Sequence, residues 1–351
     1  MCANFIIGQD IINGKYTFTD TKVIPNTSVK NQNKSGTCWS FSTISFLESE
    51  ILRNTNKEID LADMYPVYWA YKAKAERYVR LHGETNFPGG GASGDVFWTF
   101  DNYGFLPEEA FNGLHYGESK HNHNLLQQIL ANTIKIAVNN KGKLDTNWRF
   151  PFNAILDAYF GQVPETFTYE GKQYTPKTFA NSLNLKMSDF VSITSYTHHP
   201  FYTTFAMEVP DNWLSHISYN VPIEDFMQIA KNAIDKGYSF AWGGDVGKEN
   251  GFERDPGIAT LADSITTISQ KERQIGFDDW TTGDDHGMHV IGSATDQNGK
   301  YYFKVKNSWS DNYKYKGYWY MSEQYFMLNT LNFIVHKNAI PANIRAKMGV
   351  K

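Results

Sequence analysis

The chain has 351 residues, of which 41% are hydrophobic and 15% aromatic, a composition that predicts a packed globule with one large core or two lobes. The formal net charge of −4 and the isoelectric point near 6.2 provide no basic field, so we expect no nucleic-acid partner. No run of residues approaches the ~20 apolar positions of a membrane span.

The N-terminus, MCANFIIGQDII, lacks a charged segment followed by a full apolar one, so the sequence as it stands favours a cytoplasmic protein. A Met-Cys start is also consistent with a longer precursor that was cut, which leaves open a removed signal segment before Cys2. Two cysteines, Cys2 and Cys38, are too few for a disulfide framework, and we expect Cys38 to be free.

The first predicted elements are a strand and three helices. Residues 15–24, KYTFTDTKVI, alternate as a strand does, and Pro25 ends the pattern. Apolar spacing then predicts helices over residues 38–55 and 61–81. After a glycine-rich loop, a further helix is predicted to include residues 96–103.

The middle of the chain has weaker patterns. Helical stretches are predicted at residues 125–138 and 152–160, followed by a hairpin around YEGKQYT at 169–175. A helix over 225–236 precedes a strand at 238–246, and the C-terminal third is predicted to consist of strands. We find no internal repeat and no low-complexity segment.

The most informative stretch is NQNKSGTCWSF, in which Gln32 stands six residues before Cys38. A cysteine at a helix start lies among unpaired backbone N–H groups and the positive end of the helix dipole, which favours the nucleophilic thiolate. The Gln32 amide and the Cys38 backbone N–H are candidate donors to a tetrahedral oxyanion. Taken singly, Cys38 also fits a buried hydrophobic residue and Gln32 a surface residue.

Two histidines are candidates for the base that a thiolate nucleophile requires. His286 and His289 lie three apart on a predicted strand, so their side chains point to opposite faces. The alternation of the strand does not choose between them.

Two further histidine pairs could be interpreted as metal ligands. They are His121 with His123 and His198 with His199, and neither pair has the spaced cysteine or acidic partners of a zinc site. We therefore interpret all four as solvated loop histidines, and we predict no metal and no cofactor.

Asn307 ends the alternating strand YYFKVKN, where its amide oxygen could accept the N–H of His286. The two strands are joined through residues 296–299, DQNG, a strong hairpin pattern. A two-residue turn would place Asn307 opposite Val290, four residues from His286, so we expect a longer loop or bulges. Without the histidine, the sequence NSW would indicate only a turn.

The runs QNKSGTCWSF, DDHGMHVIG (284–292) and KNSWS (306–310) together resemble papain-like cysteine peptidases. More narrowly, the chain is similar to the bleomycin hydrolase and bacterial aminopeptidase C branch of that family. Further similar segments follow in the same order: FPGGGASGDVFWTFDNYGFLPEEAF (87–111), AILDAYFGQVPETFTYEGKQYTPKTFA (154–180), YSFAWGGDVGK (238–248) and KGYWYMSEQYF (316–326).

The resemblance implies an α+β fold of the papain-like, two-lobed type in a single peptidase domain, residues 1–351. One lobe is helical, with a central helix that starts at the nucleophile, and the other is an antiparallel, barrel-like β lobe. We predict the helical lobe at residues 31–111, a long middle insertion at 112–200, and the β lobe at 1–30 plus 201–351.

The resemblance also implies residue roles. Asp285-His286-Gly287 matches the acidic and small neighbours of the family's histidine, so His286 becomes the base and His289 a structural residue. Cys38 is then the nucleophile, Asn307 orients His286, and Gln32 assists the oxyanion.

Gly90 and Gly91 match the glycines that contact the substrate backbone in relatives, although a plain turn explains them almost as well. Ser310 stands where relatives usually have glycine, which puts the local turn in doubt. The sequence ends at AIPANIRAKMGVK, before the C-terminal arm that restricts bleomycin hydrolases to amino termini, so exopeptidase specificity is less secure than peptidase chemistry.

The sequence therefore predicts a cysteine peptidase that acts on peptides through a thioester, with aminopeptidase activity favoured over endopeptidase activity. An amidase or acyltransferase on the same site is an alternative, because the sequence does not show what resolves the thioester. A catalytically silent binding protein is a further alternative, which the presence of all four motif residues opposes. The resemblance also raises assembly into a homo-oligomer.

Overall fold

A computed structural model describes residues 10–12, 16–85, 87, 89–139, 142–247 and 251–351, with backbone alone at 10–12. Cys2 lies outside the described residues. The chain divides into two compact units. Unit 1 comprises the described parts of residues 1–30, 188–206 and 217–351, and unit 2 those of residues 31–187 and 207–216.

The helices of the described residues are α1 (Cys38–Thr55), α2 (Met64–Arg80), α3 (Ser93–Tyr103), α4 (Asn124–Asn139), α5 (Arg149–Phe160), α6 (Pro176–Ser182), α7 (Ile223–Asp235), α8 (Gln270–Asp278), α9 (Glu323–Asn329) and α10 (Ala342–Met348). Short 3-10 turns occur at Glu108–Ala110, Thr146–Trp148, Met187–Asp189 and Lys337–Ala339.

The strands of the described residues are β1 (Asp10–Ile12), β2 (Tyr16–Val23), β3 (Phe167–Tyr169), β4 (Lys172–Tyr174), β5 (Phe190–Thr194), β6 (Thr204–Ala206), β7 (Ile217–Asn220), β8 (Phe240–Gly244), β9 (Phe252–Glu253), β10 (Ile258–Ala259), β11 (His286–Thr295), β12 (Tyr301–Lys306), β13 (Tyr318–Ser322) and β14 (Thr330–His336).

Unit 2 is helical and is built around α1, which is buried on nearly every face. A helix that buries polar residues must pair them, and α1 does so with the chain that leads into α2. The Glu48 carboxylate accepts the Leu61 N–H at 2.9 Å, and the Ser40 hydroxyl donates to the Asp63 carbonyl at 2.6 Å. α1 ends at Asn56 in the left-handed conformation, which suits asparagine.

Unit 1 contains one large, mainly antiparallel sheet in the order β6-β7-β5-β14-β8-β11-β12-β13-β10-β9. β11 is its centre, since it pairs with β12 along one edge and with β8 and then β2 along the other. The apolar face of α7 packs into the same core as the inner side chains of β8, β11 and β12. Among the described strands this sheet follows an open path rather than a closed barrel.

Most predicted elements are confirmed. α1 has the predicted bounds, α4, α5 and α7 lie where helices were predicted, and the predicted hairpin is β3–β4. The prediction that the C-terminal third contains only strands is wrong, because α8, α9 and α10 interrupt it. Where the structure describes the chain, no helix combines the length and apolar character needed to cross a membrane.

Candidate active site

In unit 2, Cys38 is the first residue of α1, is partly exposed and does not take part in a disulfide. The Thr37 side chain makes no capping hydrogen bond to this helix, and its first turn contains no acidic residue. No carboxylate of this first turn offsets the positive end of the helix dipole, which favours the thiolate form of a cysteine at this position.

The loop that leads to Cys38 is held in place by backbone hydrogen bonds. The Lys34 N–H donates to the His121 carbonyl, and the His123 N–H donates to the Lys34 carbonyl, both at 3.0 Å. The Ser35 hydroxyl donates to the Gln32 carbonyl at 2.7 Å, and Gln32 is buried. A fixed loop suits a residue proposed as an oxyanion donor, because the donor then needs no rearrangement during reaction.

The prediction that His121 and His123 are solvated is wrong, since both side chains are buried. The His121 ring lies against Phe41 of α1 and the His123 ring against Phe160 of α5, with ring centroids 6.2 and 5.2 Å apart. Burial lowers the pKa of His121 to about 4 and that of His123 to about 3. Their polar sequence surroundings gave no indication of this packing.

In unit 1, the buried side chains of His286 and Asn307 are hydrogen-bonded. His286 Nε2 lies 2.8 Å from Asn307 Oδ1, and the same oxygen accepts the Ser308 N–H at 2.7 Å. Because an amide oxygen only accepts, Nε2 carries the proton of the neutral ring and Nδ1 faces elsewhere. The Trp309 ring packs on the imidazole with centroids 4.4 Å apart. The imidazole is thus fixed in tautomer and orientation.

The expected longer loop and bulge are both confirmed in the β11–β12 hairpin. Thr295 pairs with Tyr301, so the loop spans residues 296–300, and a bulge between Val290 and Gly292 shifts the register again. The strand pair farthest from the loop is His289 with Lys306. Asn307 is the next residue after Lys306, so the corrected register places it two residues along the strand from His286 rather than four. At this separation the Asn307 side chain reaches the imidazole.

The electrostatic surroundings of His286 favour its neutral form. Burial lowers the pKa of His286 to about 4, the bond to Asn307 opposes this shift, and the positive charge of Arg254 adds to it. The Arg254 guanidinium lies over the Trp309 ring, 4.4 Å from its centroid. His289 is also fully buried, and burial together with Lys306 lowers its pKa well below the usual range.

The glycines at 89–91 lie beside the residue that follows the nucleophile. Trp39 Nε1 donates to the Gly89 carbonyl at 3.2 Å, and a Cβ on Gly91 would come within 2.8 Å of the Trp39 ring. A Cβ on Gly90 would overlap the Asp211 carboxylate. Packing within unit 2 therefore requires glycine at both predicted substrate-contact positions.

A buried charged cluster beside these glycines was missed by sequence reasoning. Lys74 of α2 donates to the Gly90 carbonyl, and the carboxylates of Asp95 and Asp211 are its nearby negative charges. Asp95 accepts the Trp213 indole N–H at 2.6 Å and lies 2.8 Å from His216 Nε2. One indication was available, because Lys74 lies on the apolar stripe of α2, where a lysine needs counter-charges.

Ser310, at the position where glycine was expected, adopts a φ of +72°. This left-handed conformation explains the preference for glycine there, since a Cβ is strained in it. A small polar residue is tolerated at Ser310, and its N–H reaches the Lys30 carbonyl at 3.4 Å.

The Peptidase C1-like family matches residues 155–350, and the papain family cysteine protease description matches residues 17–67. The chain is 24% identical over 378 residues to aminopeptidase G of Lactobacillus delbrueckii subsp. lactis, covering 92% of this chain and 84% of that one. It is 24% identical over 381 residues to bleomycin hydrolase of Gallus gallus, covering 91% and 82%. These matches confirm the predicted branch.

The fold resembles that of the solved structure of pepW from Lactobacillus rhamnosis HN001. The TM-score is 0.76 at 20% sequence identity, with 94% of this chain and 84% of that chain covered. The match confirms the predicted α+β, papain-like fold class.

Proposed function

Because the chain belongs to the Peptidase C1-like family, we propose that it is a cysteine aminopeptidase with Cys38 as nucleophile and His286 as its acid and base. The observation that carries the residue assignment is the 2.8 Å hydrogen bond between the buried His286 and Asn307 side chains. This bond leaves Nδ1 of the ring for proton transfer. The position of Cys38 at a helix start, outside any disulfide, supports the assignment.

The proposed reaction proceeds in two steps. The Cys38 thiol transfers its proton to His286 Nδ1, and the resulting thiolate attacks the peptide carbonyl carbon, while the Gln32 amide with the Cys38 N–H stabilises the oxyanion that forms. His286 Nδ1–H protonates the leaving nitrogen as the C–N bond breaks, which releases the amine and leaves a thioester. A water then loses a proton to His286 and attacks the thioester, which releases the acid and regenerates the thiolate. Asn307 orients the ring throughout and transfers no proton.

The aminopeptidase assignment is supported by the names of the relatives, which include aminopeptidases G, C and W and bleomycin hydrolase. We propose that the substrates are peptides with a free amino terminus. Gly90 and Gly91 are proposed to lie along the bound substrate, beside Trp39.

The nucleophile is tested with a thiolate-directed epoxide followed by peptide mapping. We expect rapid labelling at Cys38 near neutral pH, with peptidase activity lost in parallel, because the epoxide reacts with an activated thiolate. Cys38→Ala should be inactive while it keeps the wild-type circular dichroism spectrum. Cys2→Ser is the control and should keep both labelling and activity. Equal labelling of the two cysteines, or a fully active Cys38→Ala, would rule out the assignment.

A further inference from the structure

The segment at residues 207–216 belongs to unit 2 and is held in one conformation by its own hydrogen bonds. The Asn212 side-chain amide donates to the carbonyls of Met207 and His216 at 3.1 and 3.0 Å, and its oxygen accepts the His216 N–H at 2.8 Å. The Asn212 N–H in turn reaches the Val209 carbonyl at 3.1 Å. Asn212 thus closes the segment into a compact loop, with Asp211 next to the closing residue.

This loop is anchored to α3 through one fully buried carboxylate. Asp95 accepts the Trp213 indole N–H through one oxygen at 2.6 Å and lies 2.8 Å from His216 Nε2 through the other. Both partners come from the loop, so Asp95 fixes its position. A side chain carried by such a loop is pre-organised, which reduces the entropy lost when it binds a ligand.

Asp211 is the carboxylate that this loop places against the glycines beside the nucleophile. Its oxygens occupy the space where a side chain on Gly90 would lie, and its side chain is partly exposed. Trp39, adjacent to Cys38 in the chain, packs on the same glycine run through Gly89 and Gly91. A cation bound to Asp211 would therefore lie along the proposed path of the substrate.

The charges around Gly90 leave a surplus of negative charge. Lys74 is the buried ammonium, and Asp95 and Asp211 are the two carboxylates that stabilise its charge. Burial raises the pKa of Asp211, the Lys74 ammonium opposes this shift, and the negative charge of Asp95 adds to it, so a further cation would stabilise the Asp211 carboxylate.

We propose that Asp211 binds the α-ammonium group of the substrate and so selects peptides with a free amino terminus. The inference rests on the proposed function, because it assumes that Cys38 attacks a peptide laid along Gly90 and Gly91. A carboxylate paired with an ammonium gives charge-assisted hydrogen bonds, and partial burial strengthens them. An acetylated amino terminus carries no charge and would offer Asp211 no cation in addition to Lys74.

The test uses an unblocked hexapeptide and its Nα-acetylated twin, digested by the full-length enzyme and followed by mass spectrometry. We expect the wild type to release the first residue of the unblocked peptide and to cut the acetylated twin far more slowly. Asp211→Asn should lower kcat/KM for the unblocked peptide by about 10- to 100-fold, as expected for a lost hydrogen bond to a charged group. Cleavage of the acetylated twin should not change, so the ratio between the two falls.

Asp101→Asn is the matched control, since Asp101 is a carboxyl on α3 of the same unit, with its pKa raised by burial and with Lys177 nearby. It should leave the ratio at the wild-type value. An unchanged ratio in Asp211→Asn, or an equal loss on both peptides, would overturn the inference.

The roles of Asp211 and Cys38 are refuted by different outcomes. A wild type that cuts both twins equally would refute the role of Asp211 while Cys38 chemistry stands. A Cys38→Ala variant that still cuts the unblocked peptide would refute the proposed function.

Discussion

Asn307 shows at the scale of one residue how an orienting role differs from a chemical one. Its Oδ1 holds His286 Nε2 at 2.8 Å, and this bond raises the pKa of His286 against the effect of burial. Asn307→Ala should lower kcat by about 10- to 100-fold with little change in KM, because general acid–base catalysis persists with a less well-oriented ring. Loss as complete as in Cys38→Ala would contradict an orienting role.

The pH profile of the same variant separates orientation from general damage to the fold. Without the bond to Asn307, the protonated form of His286 loses a stabilising partner, so the pKa of His286 falls. The limb of the kcat/KM profile that reports the titration of His286 should therefore move to lower pH. A merely structural defect would lower the whole profile without moving that limb.

Some of the individual side chains of the site could be identified from the sequence, and others could not. His286 could be chosen over His289 only through its neighbours Asp285 and Gly287, because strand alternation treats the two histidines alike. The cluster of Lys74, Asp95 and Asp211 could not be predicted, since its members lie on separate segments that only tertiary packing brings together.

The β11–β12 hairpin shows at the scale of elements how small irregularities position the site. A two-residue turn would have placed Asn307 four residues from His286. The longer loop and the bulge near Gly292 each shift the register by one residue. The alternation of hydrophobic residues does not reveal this total shift in register, because a shift of two residues returns every side chain to the same face.

The β11–β12 hairpin has no room for a side chain at Gly292, and a substitution there tests how tightly the hairpin packs. A Cβ there would overlap the Lys22 carbonyl of β2, and backbone atoms cannot move aside as a flexible side chain can. Gly292→Ala should lower the free energy of unfolding by about 2–3 kcal/mol, as overpacking does, and should reduce activity.

Gly299→Ala is the control within the same hairpin, because it has a φ of +79° but open space around it. Backbone strain alone should cost about 1 kcal/mol there. Urea unfolding of both variants measures the difference. Equal midpoints would mean that β2 does not constrain Gly292.

Helix prediction succeeded where apolar spacing was long and failed where it was short. α1 extends over 18 residues and was predicted with its observed bounds. α8, α9 and α10 have nine residues or fewer, too few for a periodic pattern to be distinguished from strands. Capping offered a second indication for α8, since Ser269 and Glu272 form a capping box.

For the whole molecule, the sequence motifs were sufficient for the fold class. The reason is that the motifs around Cys38, His286 and Asn307 carry the resemblance to papain-like peptidases, which implied the fold class. The association of residues 207–216 with unit 2 rather than with the flanking strands was not predictable. It depends on the hydrogen bonds of Asn212 and on the buried Asp95, which have no local pattern.

Acid stability is a property of the whole molecule, because the buried histidines of both units contribute to it. Burial lowers the pKa of His121 and His286 to about 4 and that of His123 to about 3, while the unfolded chain takes up protons near the ordinary value of 6.5. Unfolding therefore binds protons throughout this interval, and the free energy of unfolding falls as the pH drops from about 6.5 towards 4.

Each histidine shifted to about 4 contributes on the order of 3 kcal/mol to this loss. Several such contributions are comparable with the ~5–15 kcal/mol stability of a typical protein, so we expect the fold to be lost before pH 4 is reached. His123→Leu should reduce the pH dependence of the unfolding free energy between pH 6.5 and 4, because it removes a group whose pKa is lowered by burial. Neither ring nitrogen of His123 has a hydrogen-bond partner among the described residues, so the substitution removes no hydrogen bond there.

Urea titrations at several pH values, followed by circular dichroism, measure that dependence. Asn122→Leu is the matched control on the same loop, since it introduces the same side chain at an exposed position and removes no titrating group. It should keep the wild-type slope of unfolding free energy against pH. If His123→Leu keeps that slope as well, protonation of His123 does not drive acid unfolding, and the remaining buried histidines or the carboxylates must account for it.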